Sequence, residues 1–268
     1  MARTRRSSTK RTKPAPRHTR RYGWIPDLPD HRDRIFTVPF AEIGELPQAV
    51  DLRSGCPAVY DQGQLGSCTA NAIAGALEFD QMREALDDVF VPSRLFIYYN
   101  ERVIEGTVDD DSGAMLRDGM KSVAKQGAPH ERLWPYVIAK FATRPPASAY
   151  SDAAKHPAIL YQRLVAVESQ LKGCLAAGYP FVFGFSVYES FESAAVARTG
   201  RVPMPKPKEA QLGGHAVLAV GYDDAAERFL IRNSWGPRWG LQGYCTMPYA
   251  YVLDTNLCDD FWTVHQVR

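Results

Sequence analysis

The chain has 268 residues, 45% of them hydrophobic, which is enough to bury one large core or two lobes, and no apolar run approaches the ~18 residues that a membrane span needs. Its net charge of +2 conceals an asymmetry, because residues 1–21 hold nine Lys and Arg and no acid, leaving 23 basic against 30 acidic residues in the rest. Five scattered cysteines exclude a disulfide framework, and His31, His130, His156 and His265 stand without partners at ligand separation, so no metal site and no cofactor are expected.

In chain order, the basic stretch 1–21 cannot bury enough apolar surface to order itself and reads as a disordered tail. Weak contact with polyanions is the partner such a tail suggests, although no stacking aromatics are interleaved with its charges. No apolar export segment follows it, which makes a cytoplasmic location the default expectation. Residues 22–45 mix Trp24, Ile25, Leu28, Ile35, Phe36, Val38 and Phe40 with Pro26, Pro29 and Pro39, a composition that favours an extended, docked segment over a helix.

Gln62-Gly63-Gln64-Leu65-Gly66-Ser67-Cys68 then ends a glycine-rich turn just before a run of small residues at helical spacing. A cysteine at a helix start meets unpaired backbone N–H groups and the positive end of the helix dipole, which favour thiolate. Helices are predicted up to about Tyr136, one opening at Pro92-Ser93 and another carrying Met115, Leu116, Met120 and Val123 to Gly127. The acidic run Asp109 to Asp111 lacks calcium-ligand spacing and reads as a solvated loop. A Pro- and Ala-rich linker around 142–150 precedes a β-rich region, with strands expected at Leu164–Val167 and Pro180–Val187 and a helix at 168–177 between them. Residues 199–212 read as a mobile loop. Gly213-Gly214-His215 opens an apolar strand that should pair, through the turn 223–227, with Arg228–Arg232, bringing Asn233 beside His215. Cysteine, imidazole and amide in this relation form a nucleophile, a base and an orienting group.

These segments together resemble the papain family of cysteine peptidases, in a bacterial form, over roughly Leu46 to Tyr251. The resemblance implies an α+β, papain-like two-lobe fold: a helical lobe at about 55–140 and an antiparallel, β-barrel-like lobe at about 150–268, with the active site in the cleft between them. It implies an endopeptidase acting on peptide or protein substrates through a thioester, with Cys68 as nucleophile, His215 as base and later acid, Asn233 as the orienting residue and Gln62 as oxyanion-hole donor. Trp235, in Asn-Ser-Trp-Gly, would shield the His215–Asn233 bond. Ser112 and Gly113 would hydrogen-bond an extended substrate, and Gly214 would shape an open pocket of broad apolar preference, with Asp254, Asn256 and Asp259 near its base. The family's cysteine three residues before the nucleophile is Leu65 here, and the aromatic after it is Thr69.

The remaining cysteines are expected to be mostly reduced, Cys245 and Cys258 pairing only if their strands are neighbours. Residues 22–45 either lie along the cleft as a short autoinhibitory strap or pack on the body away from it. A monomer is expected. The alternative function is a noncatalytic papain-like module that binds anionic ligands through its basic N-terminal region.

Overall fold

The computed structural model describes residues 22–38, 44 and 46–267; the expected tail at 1–21 lies outside them. After two short strands, β1 (Trp24–Ile25) and β2 (Ala49–Asp51), come the helices α1 (Cys68–Arg83) and α2 (Arg94–Glu105), the two-residue β3 (Ala114–Met115) and α3 (Leu116–Gln126). Ser93 caps α2, its hydroxyl accepting the Phe96 N–H at 3.2 Å, and Gly106 at φ 72° ends it. A left-handed Gly127 likewise closes α3, a conformation that glycine adopts without steric cost.

The second half of the chain contributes α4 (Ala147–Ala153), β4 (Ala158–Arg163), α5 (Glu168–Ala176), β5 (Phe181–Tyr188), α6 (Ala194–Thr199), β6 (Gln211–Asp223), β7 (Arg228–Arg232), β8 (Tyr244–Pro248), α7 (Tyr249–Val252) and β9 (Cys258–Val267). Strands β4 to β9 form one sheet in the order β4-β9-β5-β6-β7-β8, with β2 added beside β6. All its pairings are antiparallel. The sheet stays open, with β4 and β8 at its ends, so the barrel-like expectation holds only loosely.

Strand β6 shows why its sequence reads as a continuous apolar run. Ala216, Leu218 and Val220 face the core shared with α1, whereas Val217 and Ala219 join Phe181, Phe183 and Phe229 in the core on the other side of the sheet. A strand buried on both faces has no polar alternation to display. Helix α1 is buried along nearly its whole length, and Ala70, Ala72, Ala74, Gly75 and Ala76 let it pass close to β6.

Several local expectations need correction. The linker at 142–150 contains the start of α4. The strand expected at Leu164–Val167 ends at Arg163, because Leu164 turns into the core while Val165 and Val167 are exposed. Residues 199–212 are tied down: the Val202 N–H donates to the Thr246 carbonyl at 3.0 Å, and Arg201 bridges Thr246. Strand β6 begins at Gln211, so His215 lies inside the strand and not at its mouth. All five cysteines are free thiols; Cys245 on β8 and Cys258 on β9 lie on strands that are not neighbours.

Candidate active site

The site is assembled by backbone pairing between the cysteine turn and the segment after β7. Asp61 bridges Trp235, the Gln62 N–H donates to the Ser234 carbonyl at 2.9 Å, and the Gly236 N–H donates to the Tyr60 carbonyl at 2.9 Å. The Gly66 N–H donates to Asp111 at 3.0 Å, and the Tyr98 hydroxyl donates to the same carboxylate at 2.6 Å. Asp111 is therefore a clamp on the turn before Cys68, whereas the sequence placed it in a solvated loop.

His215 and Asn233 meet as expected, with Nε2 2.8 Å from Oδ1. The Ser234 N–H also reaches this oxygen, at 2.8 Å. Two converging donors fix the amide with its oxygen toward the ring, so Nε2 carries the proton and the neutral ring keeps its lone pair on Nδ1. The Trp235 ring lies 5.0 Å from the imidazole, covering the pair. Gln62, fully buried, donates Nε2–H to the Leu65 carbonyl at 2.9 Å and accepts the Ser234 hydroxyl at 2.6 Å, which locks its amide.

Cys68 is the first residue of α1 and is fully buried. Burial pushes its thiol up to about 12, opposed by the backbone N–H groups of Ala216, Gly23 and Thr69. The helix start alone led to the opposite expectation, a thiolate; removal from water outweighs it here. Ala216 follows His215 on β6, so one strand carries both the N–H that faces the sulfur and the His215 ring. Below α1 lies Glu101, raised to about 8 by burial and holding the Thr69 hydroxyl at 2.8 Å.

Gly23 belongs to the N-terminal segment, which crosses the cleft here. Its carbonyl accepts the Ala114 N–H at 2.7 Å, and β1 runs parallel to β3. A Cβ on Gly23 would stand 1.7 Å from the Gly66 carbonyl oxygen, so no other residue fits between the cleft walls. Gly113 comes equally close, a Cβ there falling 2.2 Å from the Gly23 oxygen, but its own N–H is taken by the Tyr98 hydroxyl at 3.1 Å. Ser112 turns to Thr107 at 2.9 Å. The ladder position against the crossing segment is thus Ala114 and not Ser112 or Gly113.

On either side of Gly23 two aromatic residues fill the cleft. The Tyr22 ring lies 6.1 Å from His215 and 6.4 Å from Trp235, and its hydroxyl donates to Glu192. The Trp24 ring enters a slot made by Gly184 and Gly214, where an added Cβ would meet it at 1.9 and 2.8 Å. At its end Nε1–H donates to Asp260 at 3.0 Å. The sequence reading put Asp254, Asn256 and Asp259 near this base. Asn256 and Asp259 do line the pocket beside Trp24 and Gly214, but a shift of register between β5 and β9, with Asp260 at φ 59°, makes Asp260 the residue that receives the indole. No sequence signal marks that bulge.

Beyond Trp24 the segment is anchored by charge. The Asp27 N–H donates to Asp260 at 2.7 Å, while the Asp27 carboxylate accepts the Arg117 N–H at 3.0 Å and the Trp262 indole at 2.9 Å. Arg117 pairs with Asp33 through two bonds, at 3.0 and 2.6 Å, and Arg163 adds contacts to Asp260 and Asp259. Burial raises both Asp27 and Asp260. Further on, Phe36 and Arg34 exchange backbone bonds with Arg163, and Val38 packs on Gly173.

Among the described residues no helix is long and apolar enough to cross a membrane. His130 and His156, which looked isolated in the sequence, lie within ligand reach of each other and of Asp88.

Comparison with known proteins agrees with this architecture. The profile described as papain family cysteine protease matches residues 46–259. Xylellain, a cysteine protease from Xylella fastidiosa, superimposes with a TM-score of 0.88 at 45% identity, covering 96% of this chain and 100% of that one. An uncharacterized peptidase C1-like protein of Acanthamoeba polyphaga mimivirus is 41% identical over 93% of this chain and 88% of its own. A procathepsin B from Trypanosoma congolense, 17% identical with a TM-score of 0.73 and covering 93% and 87% of the two chains, shares the fold. The chain belongs to the papain family of cysteine peptidases.

Proposed function

We propose that this peptidase cleaves peptide bonds with Cys68, His215 and Asn233, and that residues 22–38 hold it latent. The observation that carries the catalytic reading is the Nε2–H bond from His215 to a doubly anchored Asn233 oxygen, which reserves Nδ1 as the base. In the forward reaction Nδ1 takes the thiol proton and the sulfur attacks the scissile carbonyl carbon. The resulting oxyanion is held by the Gln62 amide and the Cys68 N–H. Collapse of this intermediate breaks the C–N bond as the imidazolium gives its proton to the leaving amine. A water molecule, deprotonated by the same nitrogen, then adds to the thioester, releasing the acid and returning the proton to sulfur.

Latency is supported by the direction in which the strap crosses. Gly23 sets its backbone N–H against the sulfur, and its own carbonyl is spent on Ala114, so the strap occupies the place of a substrate over the thiol. While covered, the thiol is held in its protonated form by burial; uncovering would readmit water and let the helix start and the imidazole favour the thiolate. Once the strap leaves, the Trp24 slot would accept a large side chain ending in a hydrogen-bond donor, since Asp260 closes its base, a narrower choice than a broad apolar pocket.

The test compares the full chain with one beginning at Leu46 on a small peptide substrate, together with labelling by an epoxide inhibitor of papain-type enzymes. Faster hydrolysis and faster labelling of Cys68 in the shorter chain are expected. Equal rates in two folded proteins would remove latency and leave catalysis standing. An unreactive Cys68 in both, together with salt-sensitive polyanion binding, would favour the noncatalytic module.

A further inference from the structure

Away from the cleft, the helical lobe gathers a second set of ligating side chains. Asp88 follows α1, His130 lies in the loop after α3 and His156 follows α4. One ligand atom from each lies within 4.8 Å of the other two.

The hydrogen bonds of His130 show what is needed there. Its Nδ1 is 2.8 Å from Asp152 Oδ2, and its backbone N–H donates to the same oxygen at 3.1 Å. Its Nε2 is 3.1 Å from Asp88 Oδ2. Carboxylates only accept, so a neutral His130 donates Nδ1–H to Asp152 and turns its Nε2 lone pair toward Asp88. Two acceptors then face each other, and a cation must lie between them. A proton would satisfy that pair alone, whereas a metal ion would also draw on a third ligand, His156, whose ligand atom lies within 4.8 Å of the other two. A carboxylate bound behind a ligating imidazole, as Asp152 is behind His130, is the usual support of such a ligand.

The surroundings agree. The Phe90 ring lies 4.0 Å from the His130 ring and 4.6 Å from that of His156, holding both imidazoles in place. Asp88 and His130 line an open cavity of about 580 Å³, which offers an entry path from solvent. Zinc bonds of about 2.0–2.2 Å require ligand atoms roughly 3.3–3.5 Å apart in a tetrahedron, so the Asp88–His130 edge, at 3.1 Å, is nearly formed.

We propose that Asp88, His130 and His156 bind one divalent transition-metal ion of the zinc type, with Asp152 positioning His130. Two imidazoles and one carboxylate suit zinc or cobalt better than calcium or magnesium. The ion would cross-link three loops of the helical lobe and steady it, without entering the peptidase chemistry.

The test uses the full chain carrying Cys68→Ala, so that the active-site thiol binds no metal. Zn²⁺ is titrated by calorimetry, Co²⁺ is followed by its visible absorption, and the melting temperature is measured with and without Zn²⁺. One ion per chain, tetrahedral cobalt bands and a higher melting temperature are expected. Asp88→Ala and His156→Ala should each abolish the binding and the thermal shift, and Asp152→Asn should weaken binding by roughly 10- to 100-fold. The Asp88 side chain is 68% exposed, so that variant should keep the fold, which its metal-free melting curve checks. Absence of saturable binding in the parent would overturn the proposal and leave a protonated His130 between two carboxylates. Binding and thermal shift unchanged by Asp88→Ala and His156→Ala would overturn it equally.

Discussion

The N-terminal segment meets the rest of the molecule in two very different ways, only a few residues apart. At the sulfur it offers bare backbone: Gly23 slides between Gly66 and Gly113 with no side chain and a single ladder bond to Ala114. At its anchor, Asp27 and Asp33 are sunk among Arg117, Arg163, Asp260 and Trp262. The difference teaches that covering and holding are separate tasks. Close cover of a nucleophile calls for a residue small enough to enter the cleft, whereas grip comes from charge-assisted bonds placed where they do not disturb the chemistry.

The largest effects should come from the chemical end. Cys68→Ala in the chain beginning at Leu46 should lower kcat by roughly 10⁶, the scale on which loss of a triad nucleophile acts, with an unchanged melting curve; residual hydrolysis near wild type would dissolve the distinction between the two ends. Gln62→Ala should cost about 10² to 10³ in kcat with little change in KM, as loss of one oxyanion donor does. Loss of KM alone would make Gln62 a brace for Ser234 and nothing more.

Changes at the anchor should be smaller and opposite in sign. Asp33→Ala leaves the buried Arg117 guanidinium without its paired carboxylate, and loss of bonds to a charged group costs about 1.5–3 kcal/mol. The uncovered population, read as the alkylation rate of Cys68 in the full chain, should rise by roughly ten- to a hundredfold. A rate unmoved by Asp33→Ala but raised by removing residues 1–45 would shift the grip to Trp24.

The smallest effect concerns Glu101, beneath the nucleophile helix. Burial raises it from 4.5 to about 8, so folding takes up a proton at this group. Its contribution to stability is complete below about pH 4.5, declines as pH rises and is lost through pH 8. Glu101→Gln should therefore flatten the fall in melting temperature between pH 5 and 8 and be the more stable protein at pH 9. Parallel curves for the two proteins would place the pH dependence elsewhere, with the raised Asp27 and Asp260 at the anchor as the next groups to substitute.

Much of the site was readable because it is local. The turn before Cys68, the strand carrying His215 and the short connection to Asn233 each advertise themselves by glycine placement and apolar runs, and a β6–β7 hairpin brings His215 and Asn233 together by register alone. What could not be read depends on long-range pairing. Asp111 looked like loop charge until Gly66 and Tyr98 were placed beside it. Asp260 reaches the Trp24 slot only through a bulge between β5 and β9, and β9 itself carries aromatic and charged residues that show no strand alternation.

The amino-acid order by itself led to the papain-family resemblance, to Cys68, His215 and Asn233 as candidate site residues, and to the expectation of an extended segment before Leu46, since each follows from short-range pattern or backbone preference. Only the tertiary structure decided that this segment crosses the sulfur with an N–H foremost, that burial raises the thiol above its free value, and that Asp88, His130 and His156 converge. The physical reason is common to all three: which groups lose water and which come within hydrogen-bond reach is settled by contacts between residues tens to hundreds of positions apart.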